Sequence, residues 1–306
     1  MSSFMQATPP FPLAGEFASL GAAFAWSWAM ALYTGPARGM PSQAVNLYKN
    51  LVAVLCLVAA LLIVSPPIPQ DAKAMFLLAL SGVIGITIGD TAFFAALKYL
   101  GAQVSSATQC IAPPVSALLA AAAFGEVLSV TEVAGLTLTL FAVTAIIYFG
   151  KKDGAQLSHL SRRDLTYSVG LAGVSALCQA VGVVIARQAF QDVHVLHGTL
   201  LRMGPAVVIL ILTGLVSVQG TGLTQVLAKP KDAVRLALAA VIGAFCGLVL
   251  LSIGTKYAKA GVSSALSSTY PIWIIPFARV YLGEKGNWQS ILCTVVAVGG
   301  IALMFV

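Results

Sequence analysis

The sequence predicts an all-α integral membrane protein, with ten transmembrane helices arranged as two inverted five-helix repeats. Three observations predict it. The 306 residues are 59% hydrophobic and only 9% charged, where a soluble domain carries about a quarter charged residues. The apolar residues fall into stretches near the roughly 20 residues that cross about 30 Å of hydrocarbon. A ten-residue phrase is spelled twice, as KYLGAQVSSA at 98–107 and KYAKAGVSSA at 256–265.

Helix 1 is expected at about 13–34, after a start, MSSFMQATPPFP, that has no basic n-region and so predicts that the segment is retained. Trp26 lies near its middle, too deep for an interfacial anchor. Helix 2, at about 43–64, begins QAVNLYKNLVAV, and the spacings of three and four put Asn46, Lys49 and Asn50 on one face that should turn away from lipid. Lys49 could meet an anionic group, pair with an acid, or snorkel to the headgroups. Helix 3, at about 74–97, holds Asp90, the one acid well inside an apolar segment. An ionised carboxylate there costs roughly 2.5–3.5 kcal/mol, so it should be paired, protonated or facing water.

Helix 4, at about 101–124, carries Pro113. Proline removes a backbone donor and frees the carbonyl four residues earlier, at Gln109, beside Ser105 and Ser106. Helix 5, at about 131–149, is followed by the polar connection 151–164 and then by helices 6 and 7, at about 165–188 and 198–218, the last of which places Arg202 early, as helix 2 places Lys49. Helix 8 spans about 233–255. Helix 9, at about 261–282, repeats the proline as Pro271, with Ser263, Ser264, Ser267, Ser268 and Tyr270 around it. Helix 10, at about 288–305, opens on Trp288, an expected interfacial anchor.

Laying residue n over n+158 aligns 98–126 with 256–284 without a gap, at eleven of twenty-nine positions identical. Lys-Tyr, Val-Ser-Ser-Ala, the proline and a terminal Gly-Glu all stay in register, which predicts an internal duplication. GITIG (85–89) falls on GAFCG (243–247), two GxxxG motifs suited to close helix approach. In helices 1 and 2 an offset of 153 puts Trp26 on Gln179, Asn46 on Thr199 and Lys49 on Arg202. Domains are therefore expected at 1–149 and 165–306, joined by 150–164. An odd number of crossings per copy makes the second copy enter from the opposite side, the inverted repeat of many secondary transporters.

On Trp26 in helix 1, the early basic residues Lys49 and Arg202, and the run ending in Pro, small residues and Gly-Glu across helix 4, each half resembles the EamA-type unit of the drug/metabolite transporter superfamily. The resemblance covers nearly the whole chain and implies a permease, usually an exporter. In proton-coupled small multidrug resistance relatives a buried glutamate occupies the place of Trp26, so their coupling does not carry over.

The candidate substrate-binding residues are Trp26, Asn46, Lys49, Asp90, Ser105, Ser106, Gln109, Gln179, Arg202, Ser263, Ser264, Ser267 and Tyr270, with Pro113 and Pro271 as helix breakers. Trp28, Phe93, Phe94 and Trp273 could complete an aromatic wall. The competing reading has the serines bonding back to their own helices and the prolines only kinking them. Glu126 and Glu284 are expected as helix-boundary or capping acids. If protons couple, Asp90 is the first candidate; a neighbouring Lys49 or Arg202 would argue for a standing ion pair.

The expected function is secondary transport of a small metabolite, an amino acid or related amphipathic compound, across the cytoplasmic membrane by alternating access. Multidrug or cationic efflux, and a non-transporting scaffold or sensor, are the alternatives. No acid pair or mid-membrane histidine suggests catalysis. His194 and His197 are too few to hold a metal, and no cofactor is expected. No Walker-type loop is present, so an ion or substrate gradient would drive transport. The charge of +7 flanks membrane segments and suits lipid headgroups better than nucleic acid. The expected partners are a small-molecule substrate and the bilayer, with a monomer as a workable state.

Overall fold

The computed structural model describes residues 12–124, 128–151, 157–190, 193–217, 220–258, 260–284 and 287–304. Among them there is no strand. The first copy contains α1 (Ala14–Arg38), α2 (Ser42–Val64), α3 (Ala72–Gly82), α4 (Thr91–Thr108), α5 (Ala112–Phe124) and α6 (Val130–Lys151). The second contains α7 (Arg162–Ala189), α8 (Val195–Val216), the short α9 (Leu223–Leu227), α10 (Pro230–Ala239), α11 (Leu248–Tyr257), α12 (Ala260–Ser267), α13 (Tyr270–Leu282) and α14 (Trp288–Leu303). Six of the continuous helical runs are long and apolar enough to cross a membrane. One of these, Ala72–Leu119, is 48 residues long and is divided by Gly101 at φ 73, ψ 177, a conformation open essentially to glycine alone. With that division, and with short helices joined end to end, ten rods result among the described residues.

Helix starts follow local chemistry. The Asp71 carboxylate accepts from the Lys73 N–H at 2.8 Å, Ser161 Oγ from Asp164 N–H at 3.0 Å, and Asn287 Oδ1 from Gln289 N–H at 3.1 Å, each meeting a donor that the first turn leaves open. His194 Nδ1 accepts from the Leu196 N–H at 3.3 Å and so caps α8.

The two GxxxG motifs do more than bring helices together. Val83–Asp90 joins α3 to α4 as a π-helix, and Ala240–Gly247 joins α10 to α11 in the same way. A π-helix admits extra residues into the ladder, widening the turn and exposing carbonyls to outside donors. The same irregularity thus recurs at matching places in both copies. Against the second π segment lies α1, whose Trp26 Nε1 donates to Gly243 O at 3.1 Å. Against the first lies α7, whose Gln179 Nε2 donates to Gly85 O at 3.3 Å. Both donors and both acceptors are repeat counterparts, and each bond runs from one copy to the other.

Helix packing follows that exchange. α1 packs on α10, α11, α12 and α13, while α7 packs on α3, α4 and α5. α2 lies against α8, and α6 against α14. At one rim the Glu284 carboxylate, at the end of α13, accepts from the Ala102 N–H at 2.9 Å and the Gln103 N–H at 3.2 Å, and pairs with Arg38 of α1 at 3.3 Å. The expected capping acid therefore caps the helix that restarts after Gly101. Glu126 lies outside the described residues. Leu157, Leu160 and Leu165 pack beside Leu100 at that same rim. At the opposite rim Gly15 abuts Ala258 and Ala74 packs with Ala186 and Ala189. α1 thus arrives at the rim from which α7 departs.

Candidate functional site

The described residues form an open cavity of about 460 Å³ between the two copies, walled by α1, α2, α4, α5, α7, α8, α11 and α13 together with both π segments. Asp90, the last residue of the first π segment, reaches into it. Its Oδ2 is ion-paired with Lys49 Nζ of α2, and its Oδ1 accepts from Gln179 Nε2 of α7 at 2.6 Å. The Lys49 ammonium also sits 5.6 Å from the centroid of Phe94, within cation–π range. Lys49 is 8% exposed. It does not snorkel, because a carboxylate within reach offers a better partner than distant headgroups.

Arg202 of α8 lines the cavity from the other copy. A β-carbon at Gly85 would lie 3.7 Å from its Nη2 and 3.6 Å from Gln179 Oε1, ordinary contact distances that put both side chains beside the first π segment. Arg202 forms no hydrogen bond or ion pair among the described residues, and its Nε is buried without a partner. The repeat counterpart of Asp90 is Leu248, an apolar wall residue.

The aromatic wall is partly as expected. Trp26, Phe93, Phe94 and Tyr270 line the cavity, with Trp26 and Tyr270 edge to face at 6.3 Å. Trp28 and Trp273 do not. Both are exposed on the outer surface, where Trp28 stacks on Phe277 at 6.5 Å and Trp273 meets Phe24 at 5.9 Å.

The polar residues divide similarly. Gln109 lines the cavity and donates to Ser175 Oγ at 3.1 Å. Asn46 lies behind the wall, its Nδ2 donating to Ile86 O in the π segment at 2.8 Å and to Thr91 Oγ1 at 3.0 Å. Asn50 in turn donates to Asn46 O and Oδ1, both at 2.8 Å. The polar face of α2 is therefore turned inward, but two of its three members secure backbone and each other. Ser105, Ser106, Ser263 and Ser267 are buried away from the cavity. Ser106 bonds back to Gln103 O at 2.8 Å, and Ser263 pairs with Ser19 of α1 at 2.8 Å. The Ser264 side chain lies outside the described residues.

Pro113 lines the cavity; Pro271 is buried at the start of α13. The carbonyl that Pro113 frees at Gln109 does not wait for a ligand. The chain tightens to a 3₁₀ turn at Gln109–Ile111, and Gln109 O accepts from the Ala112 N–H, since a neighbouring amide is the nearest donor in an apolar segment. Tyr33, Ser175 and Thr199 complete the polar lining. Thr199 was visible in the sequence as the counterpart of Asn46. Nothing in their local patterns distinguishes Tyr33 or Ser175 from ordinary helix residues.

Comparison with known proteins adds an independent line. The model of a family described as the EamA-like transporter family matches residues 13–148 and again 166–306. Over 78 residues, 26% of this chain, the sequence is 32% identical to a Streptantibioticus cattleyicolor protein named "Probable terminal-alkyne amino-acid exporter", of whose length the match spans 26%. A solved crystal structure superposes with a TM-score of 0.62, covering 94% of this chain and 95% of its own at 17% identity, which is a likeness of fold.

Proposed function

The chain belongs to the EamA-like transporter family, and on that premise we propose that it is a secondary permease carrying a small metabolite outward across the cytoplasmic membrane by alternating access. The substrate class is an amino acid or a related amphipathic compound. The single observation that carries this reading is the cavity of about 460 Å³ between the copies, a size suited to small ligands, lined by both charged groups and aromatic rings. The name of the relative that matches a quarter of the chain is consistent with the substrate class.

An inverted repeat is supported by the opposed senses of α1 and α7 and by the reciprocal bonds Trp26–Gly243 and Gln179–Gly85. In such an architecture the substrate sits at the interface of the copies and one copy rocks against the other. Asp90, engaged by both Lys49 and Gln179, serves as a standing partner of Lys49 and holds the charged part of the wall in place. Trp26, Gln109, Gln179, Arg202 and Tyr270 contact the substrate; Asn46 and the buried serines of α4 and α12 support the helices around it.

The test is flux. Purified protein in sealed liposomes, preloaded with a panel of labelled amino acids and amphipathic acids, should release at least one of them faster than protein-free liposomes do. Release no faster than from empty vesicles across the panel would sink the reading.

A further inference from the structure

The charges that line the cavity do not balance. Lys49 and Asp90 neutralise one another, and no second acid lines the cavity among the described residues. Arg202 feels the Asp90 carboxylate electrostatically but makes no hydrogen bond or ion pair with it among the described residues, and its Nε is buried without an acceptor. Burying a charge in that state is costly unless an opposite charge arrives. Asp90 cannot readily serve a newcomer, because one oxygen is held by Lys49 and the other by Gln179 at 2.6 Å. The repeat makes the imbalance explicit. The first copy gives its basic residue an acid, whereas the second sets Leu248 where that acid would stand.

We propose that the cargo supplies the missing negative charge: Arg202 binds the carboxylate of a small organic acid with an apolar or aromatic body, and a free ammonium on the cargo is dispensable. This rests on the transporter reading of the cavity and narrows it. A guanidinium presents a planar fork that matches a carboxylate with two parallel hydrogen bonds. The rings of Trp26, Phe93, Phe94 and Tyr270 receive the body of the molecule. An amine without an acid would bring a second positive charge toward Arg202 and find Asp90 already occupied. Amino acids are therefore accepted for their carboxylate, and their deaminated analogues are accepted as well.

Three molecules with one body separate the contributions: 3-phenylpropionate has only the acid, L-phenylalanine has both groups, and phenethylamine has only the amine. Each is titrated against the detergent-solubilised full chain carrying Trp28→Phe, Trp273→Phe and Trp288→Phe, so that the emission followed is that of Trp26; 4-methylpentanoate, L-leucine and isopentylamine repeat the series with an aliphatic body. In at least one series the acid and the amino acid should bind with affinities within about tenfold of each other, and the amine at least about tenfold more weakly. Arg202→Gln should weaken both carboxylates by roughly a hundredfold, the order expected when one member of a buried charge pair is removed. Arg202→Lys should restore part of the loss, and an unchanged melting profile for either variant shows that the fold is retained.

Equal binding of the amine, carboxylate binding indifferent to Arg202→Gln in a folded variant, or no response to any of the four carboxylates would overturn the assignment. Flux in liposomes reads the other claim separately. Carboxylate binding without flux would remove the transporter reading and leave the Arg202 assignment standing, and flux without carboxylate preference would do the reverse.

Discussion

Lys49 and Asp90 show how a single pair organises the charged part of the cavity. Removing one member of a buried ion pair leaves the other uncompensated, at a cost on the order of 3 kcal/mol. Asp90→Asn should therefore lower the melting temperature in detergent and slow transport. The double change Lys49→Met with Asp90→Leu should recover much of the stability, because it places in the first copy the residue type that Leu248 supplies in the second. A double variant no more stable than Asp90→Asn alone would show that the pair is not the source of the loss. The spacing of Asn46, Lys49 and Asn50 correctly oriented this face of α2, but their partners could not be read from it. Ile86 O becomes available to Asn46 only because the backbone widens at the π segment, 40 residues away.

At the scale of the element, close approach is decided glycine by glycine. In α14, a methyl on Gly299 would meet nothing within 4 Å, whereas one on the adjacent Gly300 would run into Thr139 and lie 2.8 Å from the backbone oxygen of Gly135 in α6. Gly299→Ala should be neutral or stabilising by up to about 1 kcal/mol, the ordinary helix preference. Gly300→Ala should destabilise by about 1–3 kcal/mol through overpacking. Parallel melting curves check the pair, and equal effects would mean that the α6–α14 contact is looser than described. Gly101→Ala should cost about 1–3 kcal/mol as well, for backbone reasons alone. The ten apolar stretches, the duplication and the break after residue 100 were legible because hydrophobicity, repetition and glycine each leave a mark. The π segments and the outward turn of Trp28 and Trp273 were not. In lipid both faces of a helix are apolar, so periodicity carries little information about which side faces protein or where the ladder changes pitch.

At the scale of the whole molecule, the copies are joined across their ends as well as their middle. Glu284 ties the last turn of α13 to the start of the helix after Gly101 and to Arg38 of α1. The described contacts put the α1–α2 turn and the segment before α7 at one rim, and the α2–α3 and α7–α8 connections at the other. In a cysteine-free background, Gly39→Cys and Ser158→Cys should react with an impermeant thiol reagent from one face of the membrane, and Gln70→Cys and His194→Cys from the opposite face. Labelling of Gly39→Cys and Ser158→Cys from opposite faces would end the inverted-repeat reading, and with it the mechanism.

The reciprocal bonds Trp26–Gly243 and Gln179–Gly85 reach beyond packing. Each five-rod fragment keeps the donor that its sibling's widened turn depends on, so neither is a finished object by itself. Severed between residues 151 and 162 and synthesised singly, the fragments should be cleared by membrane proteolysis; synthesised together, they should find one another and restore transport.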